Sequence, residues 1–168
     1  FIMLSGSSWH KNDPYLFTVQ PGNIQGMTQY ESNIYVGYDK EHLGGQIEVY
    51  SQDGTWLKTI GPTAIGHVSE MDFASWNGLL YISDGTADYK TCVYEVDVSG
   101  DTPRILRTIN NAEWGYGGLI AIDDLNKRML LTTTAATPGE VTFAYSDMDG
   151  NIQHQFKMPW IHVPQGLE

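Results

Sequence analysis

The chain has 168 residues, a formal net charge of −11, 17% charged and 12% aromatic residues, and a single cysteine, Cys92. That length sits within one ordinary domain, and the composition is that of a globular chain and not a disordered one. The acidity argues against a nucleic-acid partner and against electrostatic docking on an anionic membrane, no apolar run approaches the ~20 residues of a membrane span, and one cysteine allows neither an internal disulfide nor a thiolate zinc cluster.

The first element in chain order is Leu16-Phe17-Thr18-Val19-Gln20, which reads as the outer strand of a blade whose other strands are missing. Gln25-Gly26-Met27 follows, and this tripeptide recurs as Ser69-Glu70-Met71, Gly117-Gly118-Leu119 and Gln165-Gly166-Leu167. The intervals from Met27 to Met71, Leu119 and Leu167 are 44, 48 and 48 residues, a period that marks a repeat architecture.

Each of the first three copies leads into the same series. A short apolar run comes next: Ile34-Tyr35-Val36, then Leu79-Leu80-Tyr81-Ile82, then Met129-Leu130-Leu131. An alternating strand follows: Ile47-Glu48-Val49-Tyr50, Val93-Tyr94-Glu95-Val96 and Thr142-Phe143-Ala144-Tyr145. Turns at Asp53-Gly54, Ser99-Gly100-Asp101 and Asp149-Gly150 then return the chain through Trp56–Ile60, Arg104–Ile109 and Ile152–Phe156. Asp-Gly between alternating runs is a hairpin signal, because the tight turn needs positive φ. Four short strands per repeat make one propeller blade.

The fold expected is therefore all-β. It is a β-propeller of four-stranded antiparallel blades, about three blades with partial flanking blades, and a fragment of a five-bladed ring. Residues 1–15 read as an N-terminal extension and 16–168 as a partial propeller. The blades lie near 24–61, 66–109 and 115–158, and a further blade opens at 162. Such a chain closes a ring as part of a longer protein or by homo-oligomeric association. Cys92 falls where a third strand begins and reads as a small buried hydrophobe.

In a propeller the segments leading into the inner strands converge on one face, where ligands bind. The residues gathered there by the repeat are Gln25, His67, Glu70, Asp72, Trp114, Tyr116, His162 and Gln165. Glu70 and Asp72 alternate onto one face of their strand and, with Glu168, could hold a divalent cation such as Ca2+ through oxygen ligands. Equally, they could be carboxylates lining a wet channel. His67 and His162 have no second ligand at metal spacing, and no Gly-x-Ser-x-Gly elbow or phosphate loop occurs, so no catalytic residue is assigned. Trp114 and Tyr116 offer flat faces of the kind that stack on sugars, or they pack between blades. Trp56 and Trp160 read as inter-blade packing.

With these residues in place a family resemblance emerges. Gln25-Gly26-Met27 before Ile34-Tyr35-Val36, Gly66-His67 before Glu70-Met71-Asp72, the segment Gly78 to Asp84, and Pro164 to Glu168 resemble the propeller of tail receptor-binding proteins from phages of Gram-positive bacteria. A related propeller belongs to a protein of teichoic-acid gene clusters. The resemblance implies non-catalytic binding of cell-wall glycan or teichoic acid, a homo-oligomeric or larger assembly, and a place in a virion tail or on the cell surface. Two other readings stand beside it: a structural propeller module, and a metal-dependent hydrolase of lactonase or phosphoesterase type.

Overall fold

The computed structural model describes residues 17–40, 44–61, 65–66, 68–84, 92–110, 117–133 and 139–160. These form three four-stranded antiparallel sheets in meander order. Blade 1 holds β1 (Asn23–Tyr30), β2 (Asn33–Asp39), β3 (Gly45–Ser51) and β4 (Trp56–Ile60). Blade 2 holds β5 (Val68–Ala74), β6 (Leu79–Asp84), β7 (Cys92–Asp97) and β8 (Arg104–Asn110). Blade 3 holds β9 (Gly117–Asp123), β10 (Arg128–Thr133), β11 (Gly139–Asp147) and β12 (Ile152–Trp160).

The three first strands stand side by side. Gly26 of β1 lies against Glu70 of β5, and two residues on Thr28 meets Asp72, so these strands run parallel. Asp72 in turn meets Ile122 of β9, and Ser75 meets Asp124, which carries the same direction into blade 3. Strictly alternating strands then put all first-to-second and third-to-fourth turns on one side of the molecule. All other connections leave from the opposite side, the rim.

The outer turns form as their sequence dictates. Gly54 and Gly150 take φ of 84° and 88°, the left-handed geometry glycine adopts at no steric cost. In each, an aspartate ties the turn to its own backbone. Asp53 accepts from Thr55 N–H at 3.0 Å, and Asp147 accepts from the N–H groups of Asp149 and Asn151, both at 2.9 Å.

Burial is between blades, not within them. Tyr35, Ile47, Val49 and Ile60 of blade 1 pack on Met71, Phe73, Leu80 and Ile82 of blade 2. Ala74, Tyr81, Val93 and Ile109 of blade 2 pack on Ile120, Met129 and Leu131 of blade 3. Each sheet therefore has two apolar faces, and the second strand reads as a near-continuous apolar run because it is covered on both sides. Cys92 is buried at the start of β7.

The pairing corrects the repeat arithmetic in blade 3. Ala74 pairs Leu79 across a four-residue turn, and Asp123 pairs Arg128 in the same way. The interval is thus 49 residues, and Ile120, not Leu119, takes the place of Met71. The turns agree: Gly78 (φ 68°) and Lys127 (φ 50°) occupy one left-handed position. Spacing alone places this blade one residue early because Gly118 imitates Gly26 ahead of an apolar residue, whereas the buried face selects Ile120 and Ile122.

Candidate functional site

At the rim, each first strand carries an irregularity at the same place. Gln25 is the extra residue between the pairs Ile24–Tyr38 and Gly26–Gly37, and Ser69 is extra between Val68–Asp84 and Glu70–Ser83. In blade 3 the shift falls between Leu131–Ile120 and Thr133–Gly117, and Leu119 N–H is held by Thr132 Oγ1 at 3.0 Å. A bulge leaves its extra residue out of the ladder and re-aims the chain, and bulges gather at barrel rims and binding sites. In blades 1 and 2 the tripeptide is therefore a bulge residue, a residue at the contact between the two inner strands and an apolar residue that is buried at Met71 and half exposed at Met27. Periodicity found its position but gave no sign that it was a bulge.

Gln25 sits at this rim with its Nε2 donating to Asn23 Oδ1 at 2.7 Å. At Gly26 β1 and β5 approach closely. A Cβ there would come within 3.0 Å of Glu70 Cα and 3.3 Å of Glu70 Oε1, so a side chain would push the two strands apart. Glu70 is buried at this contact, at 7% exposure.

Asp72 occupies a different setting. Its Oδ1 accepts from Thr28 Oγ1 at 3.2 Å and from Phe73 N–H at 2.8 Å, and its Oδ2 accepts from Ile122 N–H at 2.7 Å. One carboxylate thus ties β1, β5 and β9 together. Burial pushes its pKa above the ordinary carboxylate value, and the charge of Asp124 adds to the rise, while the bonds from Ile122, Phe73 and Thr28 pull the other way. The equivalent residues in blades 1 and 3 are Thr28 and Ala121, so only the central blade carries the acid. Among the described residues no three His, Cys, Asp or Glu side chains are grouped to hold a metal ion.

His67, Trp114, Tyr116, His162, Gln165 and Glu168 lie outside the described residues. The sequence that contains His67 joins β4 to β5, and the sequence that contains Trp114 and Tyr116 joins β8 to β9. Both connections run between strand ends on the rim. With the register corrected, Tyr116 stands at the position of His67, forty-nine residues on. Trp56 differs from its expectation as a packing residue. It is 51% exposed on the outer strand β4, and its indole N–H donates to Glu48 at 2.8 Å. Glu48 is buried, and it also accepts from Thr59 Oγ1 at 2.7 Å and from Gln46.

The two sides of the molecule therefore differ. The turn side has connections of two to six residues, four of them braced by Asp53, Asp97, Asp123 and Asp147. On the rim the connections have five, seven, seven, six and five residues in chain order.

No protein-family model matches the chain, and no curated protein matches it. Among solved structures, it is similar to nidogen, a β-propeller, in a nidogen–laminin complex: TM-score 0.59, 16% identity, 85% of this chain and 51% of that one. It is similar to hydrazine synthase of Kuenenia stuttgartiensis, with TM-score 0.57, 14% identity and coverage of 84% and 38%. The computationally designed protein Ika4 gives TM-score 0.50, 11% identity and coverage of 93% and 86%. The chain thus spans about half, or less, of the first two. At these identities the likeness is one of fold, and it joins the three sheets in identifying the chain as a β-propeller module.

Proposed function

We propose that this module is a non-catalytic recognition domain whose ligand is a cell-wall glycopolymer, a teichoic-acid-like carbohydrate, bound at the rim. On this reading it belongs to a phage tail or a cell-surface protein. The observation that carries the reading is the asymmetry between the two sides. Connections on a rigid scaffold carry binding residues, and here the two longest connections, of seven residues each, and the one with Trp114 and Tyr116 in its sequence depart from the side where the three inner strands bulge. The sequence resemblance to phage receptor-binding propellers supports the same ligand class. Gln25 and the connections bearing His67, Trp114 and Tyr116 form the binding edge, while Asp72 holds the inner strands in place beneath it.

Isothermal titration of the chain with purified wall teichoic acid tests this. The expected result is saturable binding that weakens about thirtyfold in Trp114→Ala, as loss of an aromatic anchor worth ~2 kcal/mol requires. Leu125→Ser, on the turn side, leaves binding unchanged. Equal losses in both variants would overturn the placement at the rim, and no heat from the folded chain would favour a structural module.

A further inference from the structure

Blade 1 buries a carboxylate where the other two blades do not. Glu48 of β3 is 6% exposed, and the register gives its place to Tyr94 in blade 2 and to Ala144 in blade 3. Its partners are all neutral. Thr59 Oγ1 donates to Oε2 at 2.7 Å, Trp56 Nε1 donates to Oε2 at 2.8 Å, and Gln46 Nε2 donates to Oε1. Among the described residues no cation forms an ion pair with it. A carboxylate taken out of water and held by neutral donors alone is a poor source of stability. What it supplies is orientation, because it fixes an indole that is itself 51% exposed.

Glu48, Thr59 and Trp56 lie on the face turned away from blade 2. Glu48 pairs with Thr59 and Tyr50 pairs with Trp56, while Ile47 and Val49, which alternate with them, pack toward blade 2. Phe17 lies against Tyr50 at 5.6 Å and leaves Trp56 half exposed. A neighbouring blade leaves this position open as well. Ile105 holds the place of Trp56 in blade 2, where blade 1 does stand in front of it, and it is still 36% exposed. Thr108, in the place of Thr59, is exposed too. The position therefore belongs to the outer surface and not to an interface between blades.

The groups around the indole match a hydroxylated ring. Its exposed face is flat and apolar. Beside it Gln46 and Thr59 are half-buried, each with one donated hydrogen bond to Glu48. The second N–H and the Oε1 of Gln46, and the lone pairs of Thr59 Oγ1, remain for a ligand. Sugar C–H groups stack on such a ring, and sugar hydroxyls, which both donate and accept, suit such a mixed row. The carboxylate beneath disfavours an anion. We propose that Trp56, Gln46 and Thr59 form a subsite for a neutral saccharide on the outer face of blade 1, with Glu48 as the positioning residue. No rim residue takes part, so the subsite stands apart from glycan binding there.

The probes are cellotriose, maltotriose and chitotriose, each titrated to about 20 mM into the nitrogen-15-labelled full chain, with the indole N–H resonances as the readout. The Trp56 resonance is identified by its loss in Trp56→Phe. At least one sugar should move it saturably while the other indoles stay in place. Trp56→Ala should weaken that sugar by about tenfold or more. Glu48→Gln exchanges a charged acceptor for a neutral one, and should weaken it about fivefold without lowering the melting temperature. A lower melting temperature with unchanged affinity would make Glu48 merely structural and overturn its role. No shift with any of the three sugars, equal shifts at every indole, or parent-like affinity in Trp56→Ala would each overturn the subsite. Trp114→Ala should leave these shifts unchanged, and their loss in that variant would place the sugar at the rim instead.

Discussion

The two interfaces between blades solve one geometric problem with different chemistry. Between blades 1 and 2 the centre of the contact is apolar. Phe73 is stacked by Tyr30 at 4.5 Å and met at a tilt by Tyr35 at 4.7 Å, with aliphatic side chains around them. Between blades 2 and 3 the apolar cluster is smaller and a polar network flanks it. Glu95 accepts from Tyr81 O–H at 2.8 Å and from Arg107 at 2.8 Å, and Arg107 also pairs with Asp149. Lys127 lies over the Trp76 ring at 5.8 Å. The positions correspond: Tyr35 and Tyr81 pair across to Val49 and Glu95, and those pair to Lys58 and Arg107. A blade can thus replace a buried valine by a glutamate when an arginine takes the place of the lysine opposite it and the tyrosine common to both blades turns its hydroxyl to the carboxylate. A carboxylate alone in that place would be a desolvated charge without a partner.

If the first interface rests on packing, Phe73→Ala is the most damaging single change. Truncating a buried, stacked Phe should cost ~3–5 kcal/mol, read as a fall in the denaturant midpoint. A loss under ~1 kcal/mol would mean that the blades do not rely on this contact. Asp72→Ala comes next, at about 2–3 kcal/mol, because it strips the acceptor from Ile122 N–H and Phe73 N–H in a buried setting. Its effect should also depend on pH. The folded pKa is raised, so between the unfolded value and the folded one the native state holds a proton that the unfolded chain has lost. That group's contribution therefore declines as pH rises through the window, and the alanine variant should lack this decline in a series of melts.

The second interface predicts smaller losses. Arg107→Ala removes one of two donors to Glu95, which stays 14% exposed, while Arg107 itself is 37% exposed and partly screened. The expected cost is ~1–2 kcal/mol. Lys58→Ala, at the same position in blade 1, removes weak contacts at 3.3 and 3.4 Å to backbone oxygens and a long, exposed ion pair with Asp101 at 3.8 Å, and should cost less than ~0.5 kcal/mol. Equal costs would show that position in the repeat, and not the attached network, sets the energy.

The fold was legible because its signals are local and periodic. Asp53-Gly54 and Asp149-Gly150 sit at turns whose φ values require them, and Ile47-Glu48-Val49-Tyr50 alternates as a third strand should. What periodicity could not give was the neighbour across each interface. Nothing around Asp72 in the sequence says that Thr28 and Ile122 N–H would converge on it, since both partners come from other blades. The expectation of two carboxylates facing a shared channel overlooked this, because alternation along one strand is blind to how near the next strand stands. Gly26 shows the same limit: its small size suggests a turn or a flexible point, yet it sets the approach of β1 to Glu70. The one-residue slip in blade 3 has a similar origin, for a bulge moves faces relative to sequence spacing and only cross-strand pairing reveals it.

The smallest effect separates the turns from the interfaces. Asp123 lies in the first turn of blade 3, where its carboxylate accepts from Asn126 Nδ2 at 2.8 Å, Arg128 Nε at 2.7 Å and Asn126 N–H at 3.1 Å. These bonds hold its pKa down from 3.8 to about 2. As pH falls through that interval the unfolded chain takes up the proton first, so the group's contribution is complete above the unfolded value and disappears as pH approaches the folded one. Asp123→Asn should therefore give a shallower loss of melting temperature between about pH 4 and pH 2 than the parent chain. The sign is opposite to that at Asp72, although both are aspartates bonded to backbone N–H groups. What differs is water: Asp123 keeps its solvation and gains donors, whereas Asp72 gains donors and loses solvation. If the two variants shifted the acid limb in the same direction, burial would not be what distinguishes Asp72 from the carboxylates of the turns.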